Sequence, residues 1–219
     1  DVNEEWISDK TRFVYDGLRK RRLDRPWVKR DGKLEATDWG GAMEAIRARL
    51  DGVAGTKIAA IAGDQADLEA MAALKDLMGA LGSPNLDCRQ DGAKLEGPRS
   101  GWLFNTTIAG IEQADALLLV GAFPRYEAAL VNARIRKRQR MGGFEIGRIG
   151  CPGDLTYPTT DVGAGPQSLV DLLNGEHSFA EVLETAERPM VIVGPGAVAR
   201  PDGAAVLAKA REVAERFGM

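Results

Sequence analysis

Residues 115–137 read DALLLVGAFPRYEAALVNARIRK. Ala116, Leu117, Leu118, Leu119 and Val120 form a short unbroken apolar run that stops at Gly121, the pattern of a strand buried on both faces. Tyr126, Ala129, Leu130 and Ala133 follow at i, i+3, i+4 and i+7, one stripe of a helix. Arg134, Arg136, Lys137, Arg138 and Arg140 gather at the end of that helix, where cations suit the negative end of its dipole. Strand, tight loop and helix in this order make an α/β unit, and the loop at the C-terminal end of such a strand is the usual seat of a ligand. Gly121-Ala122-Phe123-Pro124-Arg125 is therefore the first candidate site.

Similar units lie on both sides. Towards the N-terminus, Lys57 to Ala62 reads as a buried strand, and Leu68, Met71, Leu74, Met78 and Leu81 as the stripe of the helix after it. Before these, Trp39, Ala42, Met43, Ile46 and Leu50 space as one helix face, with Thr37 or Asp38 as N-cap. Residues 1–30 look polar and irregular, and Leu86 to Cys88 allows a short strand. Towards the C-terminus, residues 145–149 read as another buried strand and 150–166 as a long Pro/Gly-rich connection. Helices are expected at 167–173 and 179–186, and a strand at 190–193. Asp202 is expected to cap a last helix that turns Val206, Ala210, Val213 and Phe217 inward. Repeated strand–Gly–helix units predict an α/β fold of Rossmann-like lobes, with parallel sheets and helices on both faces.

Composition narrows the function classes. The chain has 219 residues, 44% hydrophobic and 28% charged, within the range of an ordinary globular protein. A net charge of −3 does not suggest a nucleic-acid binder. No apolar run approaches the roughly 20 residues that span a bilayer, so no membrane insertion is expected. Two cysteines, Cys88 and Cys151, make neither a disulfide framework nor a four-cysteine metal site. A reducing compartment is the simpler reading. The first residue is Asp1 rather than Met, which suggests an excised piece of a longer protein.

Several strings together resemble one family. Residues 6–13, Trp-Ile-Ser-Asp-Lys-Thr-Arg-Phe, look like the segment that closes the iron–sulfur lobe of molybdopterin oxidoreductases. Arg22-Leu23 with Pro26, Trp39 with Ala42, and the loops 121–124 and 150–153 continue that pattern. Residues 1–13, 105–110, 132–137 and 154–157 are closer still to the branch formed by the large iron–sulfur subunits of respiratory complex I, the NADH:quinone oxidoreductase. The resemblance implies a fragment whose parent carries its cluster-binding cysteines elsewhere. It also implies interleaved lobes, one of residues 1–103 and 188–219, the other of residues 104–187 inserted between them.

The resemblance further implies which chemistry is missing. Cofactor-bearing members place a cluster-ligating Cys where this chain has Ser8, and a hydroxyl is a poor replacement for a thiolate on iron. They place an Asn, a hand for the guanine dinucleotide of the pterin, where this chain has Phe123. In the second loop they read Asp-Pro-Arg, for ribose and phosphate, where this chain reads Cys151-Pro152-Gly153. Phe123, Cys151 and Gly153 are thus degenerate positions, and Phe123 is expected to plug the emptied space by packing near Pro152 and Tyr157. No catalytic residue, cofactor ligand or metal ligand is expected.

Other candidates read blandly. Gly194-Pro195-Gly196 with Ala199 loosely echoes a dinucleotide fingerprint, but Pro201-Asp202 delays the helix that such a fingerprint needs. Cys88 reads as a small core residue. His177, the only histidine, reads as a surface or capping residue, and the basic run 134–140 as a solvated helix end. The function expected from the resemblance is a cofactor-free structural and docking domain. Its place is the peripheral arm of a complex that moves electrons from NADH to quinone and translocates protons. Its partners would be other peripheral-arm subunits, at the cytoplasmic face of a bacterial inner membrane or the matrix side of the mitochondrial one. Two alternatives remain: a molybdopterin oxidoreductase fragment that keeps a nucleotide-type cofactor, and a free nucleotide-binding α/β protein.

Overall fold

A computed structural model describes residues 5–88, 91–150 and 152–219. The first helix, α1 (Asp9–Val14), opens on Ser8, whose hydroxyl accepts the Lys10 N–H at 3.1 Å. The chain divides into two compact units, residues 13–90 and residues 91–219 with 1–12.

In the smaller unit, β1 (Trp27–Arg30) and β2 (Lys33–Ala36) pair antiparallel. Asp31 (φ +47°) and Gly32 (φ +81°) supply the two left-handed positions of their turn. The expectation of irregular chain up to residue 30 therefore misses a hairpin that Asp-Gly signals by itself. Next, α2 (Trp39–Leu50) starts at Asp38, whose carboxylate accepts the Gly41 N–H at 2.8 Å. The strand β3 (Ala59–Ile61), the helix α3 (Leu68–Ala80) and the strand β4 (Asn85–Asp87) form a parallel βαβ unit, with Asp67 capping α3. The strand expected to be buried at 57–62 is largely open here: Ile61 is 68% exposed, and α2 buries none of its residues. Two two-stranded sheets and two helices have too little surface to enclose one another's apolar faces.

The larger unit holds a sheet in the order β7-β6-β5-β8, all parallel. Its strands are β5 (Ala116–Val120), β6 (Glu145–Ile149), β7 (Thr160–Gly163) and β8 (Pro189–Val193). Every residue of β5 is buried. Period-two alternation divides its side chains between two cores. Ala116, Leu118 and Val120 face a cluster with Leu169, Phe179, Val206, Val213 and Phe217. Leu117 and Leu119 face another with Ile111, Ile135, Phe144, Leu155 and Tyr157. Fully burying each such Leu contributes about 1.5–3 kcal/mol.

The helices follow from these two faces. After β5 come α4 (Pro124–Glu127) and α5 (Ala129–Gln139). After β7 come α6 (Gln167–Asn174) and α7 (Phe179–Thr185), and after β8 come α8 (Pro195–Val198) and α9 (Gly203–Phe217). Residues of α6, α7 and α9 lie in the first core and Ile135 of α5 in the second, so helices cover both faces. The α/β fold with a parallel sheet is as the sequence predicts. Gly147 of β6 lets the buried Phe179 ring in: a Cβ there would lie 2.6 Å from the ring.

Several expectations change. β8 hydrogen-bonds β5 along its whole length, so residues 189–193 share a sheet with 116–149 and the boundary expected at residue 188 does not separate two sheets. The reason is that β5, buried on every residue, needs a strand on each edge. β7 lies within the stretch read as a connection. The helix expected from Tyr126 breaks at Ala128, and it buries Asn132, Arg134 and Ile135 while Tyr126 is 72% exposed. The basic run is not simply solvated. Arg134 is buried against Glu112 at 3.1 Å, Lys137 meets the same oxygen at 3.3 Å, and Arg138 donates to the carbonyls of Ala114, Gly142 and Gly143. Asp202 precedes α9 but makes no side-chain cap; its carboxylate pairs with Arg200 at 2.7 Å, which holds its carboxyl below the usual range. Cys88 is exposed, not core. In the final helix, Val206, Ala210, Val213 and Phe217 are buried as expected.

Candidate functional site

The C-terminal ends of β5, β6 and β8 bring three glycines together. Gly121 (φ +55°) bends the chain away from β5, and a Cβ there would lie 2.8 Å from the Ala197 Cβ. Gly150 (φ +82°) bends it away from β6, with the Gly121 Cα 3.9 Å from its own would-be Cβ. Gly194 backs onto the Gly121 carbonyl and Ala122 so tightly that no side chain fits. β5 and β8 are neighbours whose following helices go to opposite faces, so the gap between their ends is the switch point where open α/β sheets bind ligands. Here the two chain segments pack backbone to backbone at their turns. Gly194 and Gly196 serve this approach between chain segments, a packing reason for the glycines of 194–199. A one-turn helix, α8, follows Gly194 directly, sooner than Pro201-Asp202 implies.

On the β6 side of β5, a second closure forms. The Phe123 ring lies over Gly153 (φ +153°): a Cβ on that glycine would come within 2.7 Å of the ring. The ring also stacks on Tyr126, centroids 5.2 Å apart, and joins the core that contains Leu155 and Tyr157. It is half-buried, short of the full plug expected. The Phe123 N–H donates to the Glu127 carboxylate at 2.9 Å, so the loop is also fixed from within. Cys151, the other degenerate position, lies outside the described residues.

Polar contacts that the sequence does not announce tie the two loops together. Arg125 donates to both the backbone carbonyl and the carboxylate of Asp154, at 3.0 and 2.6 Å. The Asp154 carboxylate also accepts the Thr156 N–H at 2.7 Å; this bond first, then Arg125, holds its carboxyl below the ordinary value. Beneath them, buried Asn132 donates to the Leu155 carbonyl at 3.1 Å and accepts from the Tyr157 hydroxyl at 2.8 Å. Burial pushes the Tyr157 phenol pKa up. Asn132 lies off the apolar stripe read in the sequence, on a buried face that it shares with Arg134 and Ile135, so apolar spacing does not announce it. Arg125, a cation beside the loop, is thus engaged with Asp154.

The remaining candidates are structural. Ser8 serves as the N-terminal hydrogen-bond acceptor of α1. His177 accepts the Phe179 N–H at 3.0 Å through Nδ1, the capping role expected of it. Among the described residues there is no group of three or more His, Cys, Asp or Glu side chains able to hold a metal ion, and no helix long and apolar enough to cross a membrane.

Comparison with known proteins gives this arrangement its class. The molybdopterin oxidoreductase family model matches residues 22–219, and the chain belongs to that family. A second model, NADH-ubiquinone oxidoreductase NDSU1/NuoG-like, 4Fe-4S domain, matches residues 1–16. Among curated relatives, NADH dehydrogenase (ubiquinone) iron-sulfur protein 1, mitochondrial, of Solanum tuberosum is 42% identical over 217 residues, 98% of this chain and 29% of the relative. The G-type component of NADH-quinone oxidoreductase from Rickettsia bellii is 41% identical over 220 residues, and that from Rickettsia prowazekii 42% over 219, each covering 100% of this chain and 32% of the relative. The chain therefore spans about a third of the length of the curated relatives it matches.

The family name implies a molybdopterin cofactor, and the described residues do not fit its nucleotide portion. Position 123 offers an apolar ring, position 153 has no side chain, and the ring occupies the space between them. At the switch point, Gly194 meets Gly121 and Ala122 backbone to backbone.

Proposed function

We propose that this chain is a cofactor-free scaffolding and docking domain of the large iron–sulfur subunit of an NADH:quinone oxidoreductase. The observation that carries the reading is the Phe123 ring lying on Gly153, which fills the place where a nucleotide would enter between the two loops. The relatives, components named for NADH:quinone oxidoreduction, support the setting. In this reading, NADH oxidation and cluster-borne electron transfer belong to other parts of the assembly, and Ser8 holds no cluster. The domain contributes stable surface to neighbouring subunits of the peripheral arm, on the cytoplasmic or matrix side of the membrane.

Two measurements test it. The purified chain, offered NADH with ferricyanide or a quinone, is expected to show no turnover above buffer; robust turnover overturns the cofactor-free part. Cross-linking of the intact complex is expected to join residues of this domain to other peripheral-arm subunits. Cross-links confined to its own polypeptide overturn the docking part.

A further inference from the structure

Residues 19–33 read RKRRLDRPWVKRDGK. Eight of these fifteen residues are Lys or Arg and two are Asp. The stretch therefore carries +6 in a chain of net charge −3, which leaves −9 on the other 204 residues. It lies within the smaller unit, runs through β1 and ends at the first residue of β2, and all eight cations are exposed. Three of them meet a carboxylate. Lys20 reaches Asp16 at 3.7 Å, Arg25 its neighbour Asp24 at 2.8 Å, and Arg30 reaches Glu35 at 3.7 Å. Arg19, Arg21, Arg22, Lys29 and Lys33 have no ion pair among the described residues. Like charges this dense lie within a Debye length of about 8–10 Å and repel one another. Leu18, Leu23 and Trp27 are exposed beside them, Leu23 to 80%.

We propose that the stretch from Arg19 to Lys33 is a docking surface whose partner is a carboxylate-rich face of a neighbouring subunit in the same complex. This rests on the docking reading above and names its surface and the chemistry of its partner. Charge complementarity selects the occupant: five exposed cations without carboxylates gain most from a protein that brings them. Arg outnumbers Lys in the stretch by five to three, and the planar guanidinium suits a carboxylate, which it can grip with two parallel hydrogen bonds. Arg and Trp are also the side chains enriched at the centres of protein interfaces, and Trp27 stands among the cations. A nucleic-acid strand or an anionic bilayer extends past fifteen residues and would meet the net negative remainder of the chain. A protein's acidic patch is the size of the stretch. Because the cations are exposed, the pairing sets association rate, orientation and salt dependence more than it adds raw affinity.

Zero-length cross-linking of the intact complex tests this, with a carbodiimide that joins a Lys amine only to a carboxylate in direct contact. Lys29 or Lys33 is expected to be joined to an Asp or Glu of another subunit. Joining only to carboxylates of its own polypeptide, or to none, overturns the proposal. If longer cross-linkers still connect this domain to other subunits, the docking reading stands and only its assignment to this stretch falls. The triple variant Arg19→Gln, Arg21→Gln, Arg22→Gln in the full-length polypeptide gives a second readout. These side chains are exposed and unpaired, so its thermal midpoint should stay at the unaltered value. Its association with the rest of the complex at low salt is expected to be slower by about tenfold or more, and the difference should shrink as salt is added. An unchanged rate, or a loss independent of salt, overturns the proposal. So does sedimentation of the full-length polypeptide with phosphatidylserine vesicles that the triple variant abolishes, which assigns the stretch to lipid.

Discussion

The Phe123 ring lies on Gly153 closely enough that a single added methyl would collide with it at 2.7 Å. Ring and glycine come from the loops after β5 and β6, the two loops that the family pattern makes responsible for a nucleotide. In the proposed reading, their contact makes a packed seam where cofactor-bearing members keep a binding cleft. Because the ring is half-buried, Phe123→Ala is expected to cost about 1–3 kcal/mol, less than a fully buried Phe. Gly153→Ala should cost about 1–3 kcal/mol by overpacking. With the ring removed as well, the added methyl meets nothing, so the double variant should lose less than the sum of the two singles. Denaturant unfolding of the three variants measures this; strict additivity would mean the ring and Gly153 do not touch in solution.

Phe123→Asn restores the amide of cofactor-bearing relatives at that position. It should destabilise the fold and still bind no guanine nucleotide, because Gly153 supplies no charge. Calorimetry with a guanosine diphosphate checks the second half; micromolar binding would show that the loop needs only its Asn.

Asn132 joins α5 to the second loop through the Leu155 carbonyl and the Tyr157 hydroxyl. Asn132→Leu leaves two buried groups without partners, at about 1–3 kcal/mol each. Tyr157→Phe removes one donor and should cost less. The Tyr157 phenol has its pKa raised by burial. Its stabilising share is therefore full below the unfolded tyrosine value of about 10 and is lost as pH climbs towards the folded value. Tyr157→Phe should flatten the alkaline limb of a stability-against-pH curve; an unchanged limb would place the hydroxyl in solvent.

The Arg125–Asp154 pair predicts the opposite limb. The Asp154 carboxyl is depressed, so its contribution is present above the unfolded aspartate value of about 4 and is lost as pH falls below it. Asp154→Asn should shrink the loss of stability between about pH 4 and 2. Both partners are exposed, so added salt should weaken the effect.

Much of this is legible in the sequence and some is not, for identifiable reasons. β5, β6, β8 and α9 show themselves because burial on a fixed period leaves its mark in apolar spacing. Phe123 is legible as a ring that packs near Tyr157, although it is half-buried and not the full plug that the sequence predicts. The Asp31-Gly32 hairpin is legible too, though charged neighbours on both sides mask it. β7 is not: Thr160, Asp161 and Gly163 have weak strand character, and pairing with β6 decides the matter. Arg134 and Arg138 look like surface cations until the fold offers Glu112 and the carbonyls of Ala114, Gly142 and Gly143. Cys88 reads as core by residue type, and its exposure depends on how little its own unit can enclose.

Asp115 shows how a single carboxylate sets the sheet. It accepts the N–H groups of Glu187 and Arg188 at 2.7 and 2.9 Å, holding the start of β8 beside the start of β5. Asp115→Ala should cost about 1.5–3 kcal/mol, as a loss of charge-assisted bonds, with exchange at the β8 amides rising first. A uniform rise across the whole sheet would mean the carboxylate supports the fold generally rather than this junction.

The central claim is that the seam between Phe123 and Gly153 leaves no place for a molybdopterin and that Ser8 holds no cluster. The most direct measurement is metal and nucleotide content per chain, by elemental analysis and by chromatography of the denatured supernatant. The protein should come from a host that makes molybdenum cofactor and iron–sulfur clusters. The account predicts molybdenum, iron and guanine nucleotide all far below one per chain. About one molybdenum with matching guanine nucleotide, or about four irons per chain, would contradict it.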